Sequence, residues 1–236
     1  MTTMTPRQRA ILRIIVREYI RTGEPVGSEG LKERARLPVS AATIRAECSA
    51  LEEEGYLNHP HTSAGRVPTT AGYRYYVDHF VPRSPDPQAS AQLTHLERGG
   101  RVPESLLVRD LAQALARISR TLAVVALQKT WTREAGMGNL FRMREFTEGP
   151  SLKDVERVVH VIEDRTDDIS TIAENGPAVF INGENPFVTT RSVSMVVGVS
   201  HLSSGETLVA ALIGPVRMPY DRHMRVMEAF HRFFVP

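Results

Sequence analysis

The sequence predicts an α+β protein in which a helical N-terminal region precedes a mixed region built on an antiparallel sheet. Three observations predict it. Before residue 55, apolar residues recur at helical spacing in three runs set between capping and stop residues. Two short extended pieces around a polar tip follow, and then a fourth helical run. Beyond residue 100, helical runs are mixed with short apolar runs bounded by turn residues.

Each element has a local reason. Thr5-Pro6 supplies an N-cap and a proline at the first helical position, and Ile11, Leu12, Ile15 and Tyr19 continue the spacing to Gly23, a natural stop. Ser28 caps a second helix to about Ala35, and Pro38 ends the turn after it. Ser40 caps a third helix from Ala41 to about Glu54, closed by Gly55. Tyr56-Leu57-Asn58 and Arg66-Val67-Pro68 flank the tip from His59 to Gly65 as a hairpin, and a fourth helix from Thr70 carries Tyr73, Tyr76, Val77 and Phe80. The order helix, helix, helix, hairpin, helix is that of a winged helix-turn-helix, assigned to residues 1–80. Residues 81–103 read as a linker, because Pro82, Ser84, Pro85, Pro87, Ser90, Gly99 and Gly100 concentrate there. In 104–236, helices are expected over Glu104–Leu122, Leu152–Glu163 and Tyr220–Phe234. The strand candidates are Leu122–Leu127, Ala178–Ile181, Val193–Val199 and Thr207–Ile213.

Composition excludes several classes. With 42% hydrophobic and 24% charged residues in 236, the chain is an ordinary globular one rather than disordered. No stretch approaches the roughly 18 apolar residues of a membrane span, and Met1–Arg9 lacks an apolar signal core. A single cysteine, Cys48, excludes an intramolecular disulfide and fits a reducing cytoplasm, the expected location. Cys48, His59 and His61 lack metal-ligand spacing, and Cys48 falls on a core face. Asp164, Asp167 and Asp168 read as a solvated loop after a helix. No phosphate loop, nucleophile elbow or metalloprotease motif is present, so neither an enzyme nor a cofactor is expected. The net charge of +2 is too small to indicate nucleic-acid binding by itself, so that case rests on where the charges sit.

The third helix carries that case. Ile44, Cys48 and Leu51 share one face and must be buried. The opposite face presents Ala42, Arg45, Ala46 and Ser49, with Thr43 on the flank. Small residues there let the helix sink into a major groove, where Thr43 and Arg45 reach base edges or phosphates. Ser40 and the free amides of the first turn, from Ala41 on, favour a phosphate. In the wing, Thr62, Ser63 and Arg66 are expected against phosphates or in the minor groove.

Several motifs carry a resemblance to a known family. They are Glu24-Pro25-Val26-Gly27-Ser28, Ser40-Ala41-Ala42-Thr43-Ile44-Arg45, and the run from His61 to Thr69 with Gly72 to Asp78. Near the C-terminus they are Ile181 to Asn185 and Ile213 to Tyr220. Together they closely resemble the HrcA family of bacterial heat-inducible transcription repressors. The resemblance implies a homodimer on an inverted-repeat operator of chaperone genes, the chaperonin GroEL as a partner that maintains the active fold, and a GAF-like C-terminal domain. It places DNA contact on Ser40–Arg45 and on the wing from Thr62 to Arg66. One departure is evident. The chain is shorter than typical members between about Trp131 and Met137, where the family carries the second half of the sheet region and an inserted dimerisation domain. A dimer would then have to form elsewhere, by the last helix or the GAF-like sheet. The competing expectation is a winged-helix regulator controlled by a small molecule in the GAF-like domain.

Overall fold

The computed structural model describes residues 4–35, 40–60, 65–97, 103–128, 130–147 and 151–233. The chain divides into two compact units, Met1–Val81 and Pro82–Pro236.

The first unit holds α1 (Pro6–Thr22), α2 (Ser28–Ala35), α3 (Ala41–Glu53), the hairpin strands β1 (Leu57–Asn58) and β2 (Val67–Pro68), and α4 (Thr70–Phe80). Its boundaries follow from capping. Thr5 and Gln8 form a reciprocal capping box at the start of α1, and Gly23 closes that helix in the left-handed region at φ 72°. Ser40 and Thr69 each accept an amide N–H of the helix that follows. Ile11, Leu12, Ile15 and Val16 of α1 meet Leu31, Ile44, Leu51, Leu57, Tyr73 and Tyr76 in a single buried core. This is the winged helix-turn-helix that the sequence predicted.

The second unit is a five-stranded antiparallel sheet covered by helices on both faces. Its strands are β3 (Leu122–Leu127), β4 (Trp131–Ala135), β5 (Ala178–Phe180), β6 (Val193–His201) and β7 (Thr207–Pro215), in the spatial order β4-β3-β7-β6-β5. In register, Leu122 faces Ile213 across β3 and β7, and Val193 faces Pro215 across β6 and β7. One face, with Leu122, Val124, Val197 and Ala211, packs on α7 (Met137–Leu140), α8 (Arg144–Thr147), α9 (Ser151–Asp164) and α10 (Thr166–Ala173). The other is covered by α6 (Glu104–Ser119) and α11 (Tyr220–His231), with α5 (Pro87–Glu97) packed on both. Gly198 on β6 leaves room there for Met227 and Phe230, which an added Cβ would meet at 3.3–3.5 Å. Burial on both faces explains why β3, β6 and β7 read as continuous apolar runs instead of alternating. The α+β class matches the expectation. Among the described residues, no helix is long and apolar enough to cross a membrane.

Three expectations are corrected. Residues 81–103 are not simply a linker, since α5 lies inside them with Ala89 and Leu93 fully buried. The acidic run is not a loop: Asp167 and Asp168 form the first turn of α10, where carboxylates meet the positive end of the helix dipole. The segment from Trp131, to which no strand is assigned from the sequence, is a strand, because β4 pairs along its whole length with β3, from Trp131 opposite Leu127 to Ala135 opposite Ala123.

His223 of α11 is wholly buried, with its Nε2 3.2 Å from the carbonyl oxygen of Ser119. Loss of hydration, with the nearby Arg222 charge adding to it, pushes its pKa from 6.5 down to about 4, despite the Ser119 carbonyl favouring the proton. The unfolded chain therefore binds the proton that the folded chain refuses. Stability is complete above pH 6.5 and is lost as the pH falls from there towards 4, by on the order of 3 kcal/mol. Denaturant titrations across this range should show that loss in the native chain and a clearly smaller slope in His223→Leu. Equal slopes would show that His223 is not the group responsible.

Candidate nucleic-acid interface

The exposed face of α3 is set by its buried one. Ile44 and Leu51 are fully buried and Cys48 nearly so, against α1 and α2. Burial pushes the Cys48 thiol up to about 11, so it stays protonated and acts as a core side chain. With that stripe inward, Ser40, Ala42, Arg45, Ala46 and Ser49 are exposed, and Ala41 and Thr43 are half-buried on the flanks. Ala42, Ala46 and Ser49 leave a low surface from which Arg45 projects. Arg45 does not project unsupported: its Nε donates to Ser28 Oγ at 3.3 Å, tying it to the start of α2.

The N-terminus of α3 is capped by Ser40. Ser40 Oγ accepts the Thr43 amide at 3.1 Å and also lies 2.9 Å from Thr43 Oγ1. The first turn of α3 carries no acidic residue, so its partial positive charge is not cancelled. The acidic residues of α3 come later. Glu47 is paired with Arg7 of α1 at 3.1 Å, and Glu52 with Arg66 at 3.2 Å. Two carboxylates are thereby drawn towards arginines on neighbouring elements.

The pairing with Glu52 changes the part given to Arg66. The outward-reaching wing arginine is corrected: its side chain is only 19% exposed and bends back to α3. Its backbone forms a two-bond bridge with Val26, each amide donating to the other's carbonyl at 2.9 Å. Arg66 therefore anchors the base of the wing. Thr62 and Ser63 lie outside the described residues. The partners that sequence reading missed are Ser28, Arg7, Glu52 and Val26. They come from α1, α2, the turn before α2 and the far end of α3, and no local spacing signals such pairings.

These features define a winged helix-turn-helix protein with a separate C-terminal α+β unit. Residues 102–224, just over half of the chain, match the HrcA protein C terminal domain, and the chain belongs to the HrcA family. The heat-inducible transcription repressor HrcA of Kineococcus radiotolerans is 48% identical over 122 residues, which cover 50% of this chain and 34% of that protein. The protein of the same name from a Nocardioides species is 44% identical over 119 residues, 50% of this chain and 35% of its own length. The match thus spans about a third of the length of these curated relatives. A crystal structure described as that of a hypothetical protein has a TM-score of 0.72 at 18% identity, covering 98% of this chain and 99% of that one, a likeness of fold.

Gly65 allows the wing base to close. A Cβ there would lie 2.2 Å from the carbonyl carbon of Val26 and 2.4 Å from its oxygen, whereas one at Gly27 would meet nothing within 4 Å. Gly65→Ala is expected to destabilise the protein by about 1–3 kcal/mol through loss of the Val26–Arg66 bridge. Gly27→Ala is expected to stay within about 0.5 kcal/mol. Urea denaturation of both variants checks the pair, and equal effects would show that the close approach is not a constraint.

Proposed function

We propose that the chain is a DNA-binding transcriptional repressor that reads duplex DNA with the exposed face of α3. The observation that carries this reading is that face itself, small at Ala42, Ala46 and Ser49, with Arg45 rising from it beside an acid-free, serine-capped N-terminus. Such a helix approaches a major groove closely. Ser40 and the amides of Ala41 and Ala42 take a phosphate, Arg45 and Thr43 take base edges, and Ser49 follows along the groove. Arg66 acts on the wing's contact with flanking phosphates by holding the wing base.

A repressor of this kind reads an inverted repeat as a two-fold dimer. The names of the relatives, heat-inducible transcription repressors, support heat-shock genes as its target. The family resemblance adds GroEL as the partner that keeps it active, and the cytoplasm as its place of action.

A gel-shift titration with an inverted-repeat probe from a chaperone promoter tests the reading. Binding should weaken steeply with salt and exceed that to a scrambled duplex. Arg45→Ala should cost about 1–3 kcal/mol on the specific probe and much less on the scrambled one. Ser40→Ala should cost about 1 kcal/mol of helix stability and weaken binding to both. Equal affinity for the two probes in the native chain would refute specific recognition, and an unchanged Arg45→Ala would remove that residue from the contact set.

A further inference from the structure

A recess of about 600 Å³ opens between α5, α6 and α11 of the second unit, within the size range of small-molecule sites. Arg117 of α6, Arg120 just after it, and Arg222 and Arg225 of α11 line it, against the two carboxylates of Asp86 and Asp221. The lining therefore carries a surplus of two positive charges.

The arginines are held there in ways that leave donors available. Arg222 spends one Nη2 contact on the carbonyl of Ile118. Arg120 ends α6 at φ 59°, a left-handed position that ordinarily favours glycine, with its amide on the carbonyl of Ala116. Arg225 is the telling group: its Nε is buried and meets no hydrogen-bond partner among the described residues. Burying a charged donor without an acceptor is costly unless a ligand supplies one. Asp86 is committed elsewhere, since its Oδ1 accepts the amides of Gln88 and Ala89 to cap α5.

The lining also selects a chemical class. Guanidinium groups match phosphate oxygens in charge and in fork geometry. A phosphate monoester carries roughly −1.5 to −2 charges at neutral pH, which balances the surplus. Pro82, Ile118 and Val226 add an apolar stretch of wall, suited to an organic group on the ester. We infer that this recess binds a small molecule carrying a phosphate monoester. The inference goes beyond the DNA-binding reading and does not rest on it.

Isothermal titration of the full chain at constant ionic strength tests it, with phenyl phosphate, inorganic phosphate and phenol as probes. Phenyl phosphate should bind saturably at one site in the millimolar range or tighter, inorganic phosphate more weakly and phenol not at all. Arg225→Gln should weaken phenyl phosphate about tenfold or more, the effect of losing a charge-assisted hydrogen bond. Arg117→Gln, a change at an exposed position, should act in the same direction if Arg225→Gln disturbs the fold. Absence of saturation at millimolar phenyl phosphate, or unchanged affinity in both variants, would overturn the site. Equal affinity for inorganic phosphate would overturn the ester assignment. If the ester does not bind while both variants lose affinity for duplex DNA, the arginines belong to a nucleic-acid surface and the proposal fails.

Discussion

Burial of Ile44, Cys48 and Leu51 against α1 and α2 is the constraint on which the first unit depends. A helix has one azimuth free once its axis is placed, and an apolar stripe at i, i+4, i+7 removes it. Each fully buried Ile or Leu contributes on the order of 1.5–3 kcal/mol, far more than any exposed residue of α3 gains by turning inward. The outward face is therefore decided by residues that never touch a partner. The wing follows from the same helix, because Glu52, one position past Leu51, takes the side chain of Arg66, the residue before β2 that bridges to Val26.

The second unit solves a different packing problem. An antiparallel sheet usually leaves one face in water, but here helices cover both. Several of the buried polar groups this creates find partners on neighbouring elements. Thr121 donates to the carbonyl of Ile213, and Ser194 Oγ accepts the amide of Asn182. Asp154 accepts both the Arg191 amide and the Ser192 hydroxyl, pinning the loop before β6 to α9. The net effect of these bonds, the Arg157 pair and burial is a carboxyl held below its usual range, with desolvation as the opposing influence.

Much of this was legible because capping and periodicity are local. Thr5, Gly23, Ser40, Gly55 and Thr69 mark their helix ends by chemistry that acts within four residues. Where the signal was not local, reading failed. The prolines before α5 resemble a linker, and only Ala89 and Leu93 show that the segment is held against a core. In β4, which packs at a sheet edge, Thr132–Glu134 is polar enough to resemble a loop. Helix α10 opens on Thr-Asp-Asp and buries little beyond Ile169 and Ala173. On the candidate interface, the exposed set of α3 followed from its spacing. The direction of Arg66 did not, because it depends on a carboxylate that only the fold brings near.

The same distinction applies to charge. With a net charge of only +2, the chain has no large field to steer it towards a polyanion, and its electrostatics must work at short range. Beyond a Debye length of about 8 Å at physiological salt, individual exposed charges are largely screened. What matters then is the order along α3: a free dipole end and Arg45 first, Glu47 and Glu52 drawn towards Arg7 and Arg66, and exposed Glu53 and Glu54 last, at the far end of the helix. A polyanion approaching the N-terminal turns would meet amides and a guanidinium before it felt those two carboxylates. A near-neutral chain can thus present a locally attractive face, and the proposed contact with DNA would be made by the N-terminal half of α3.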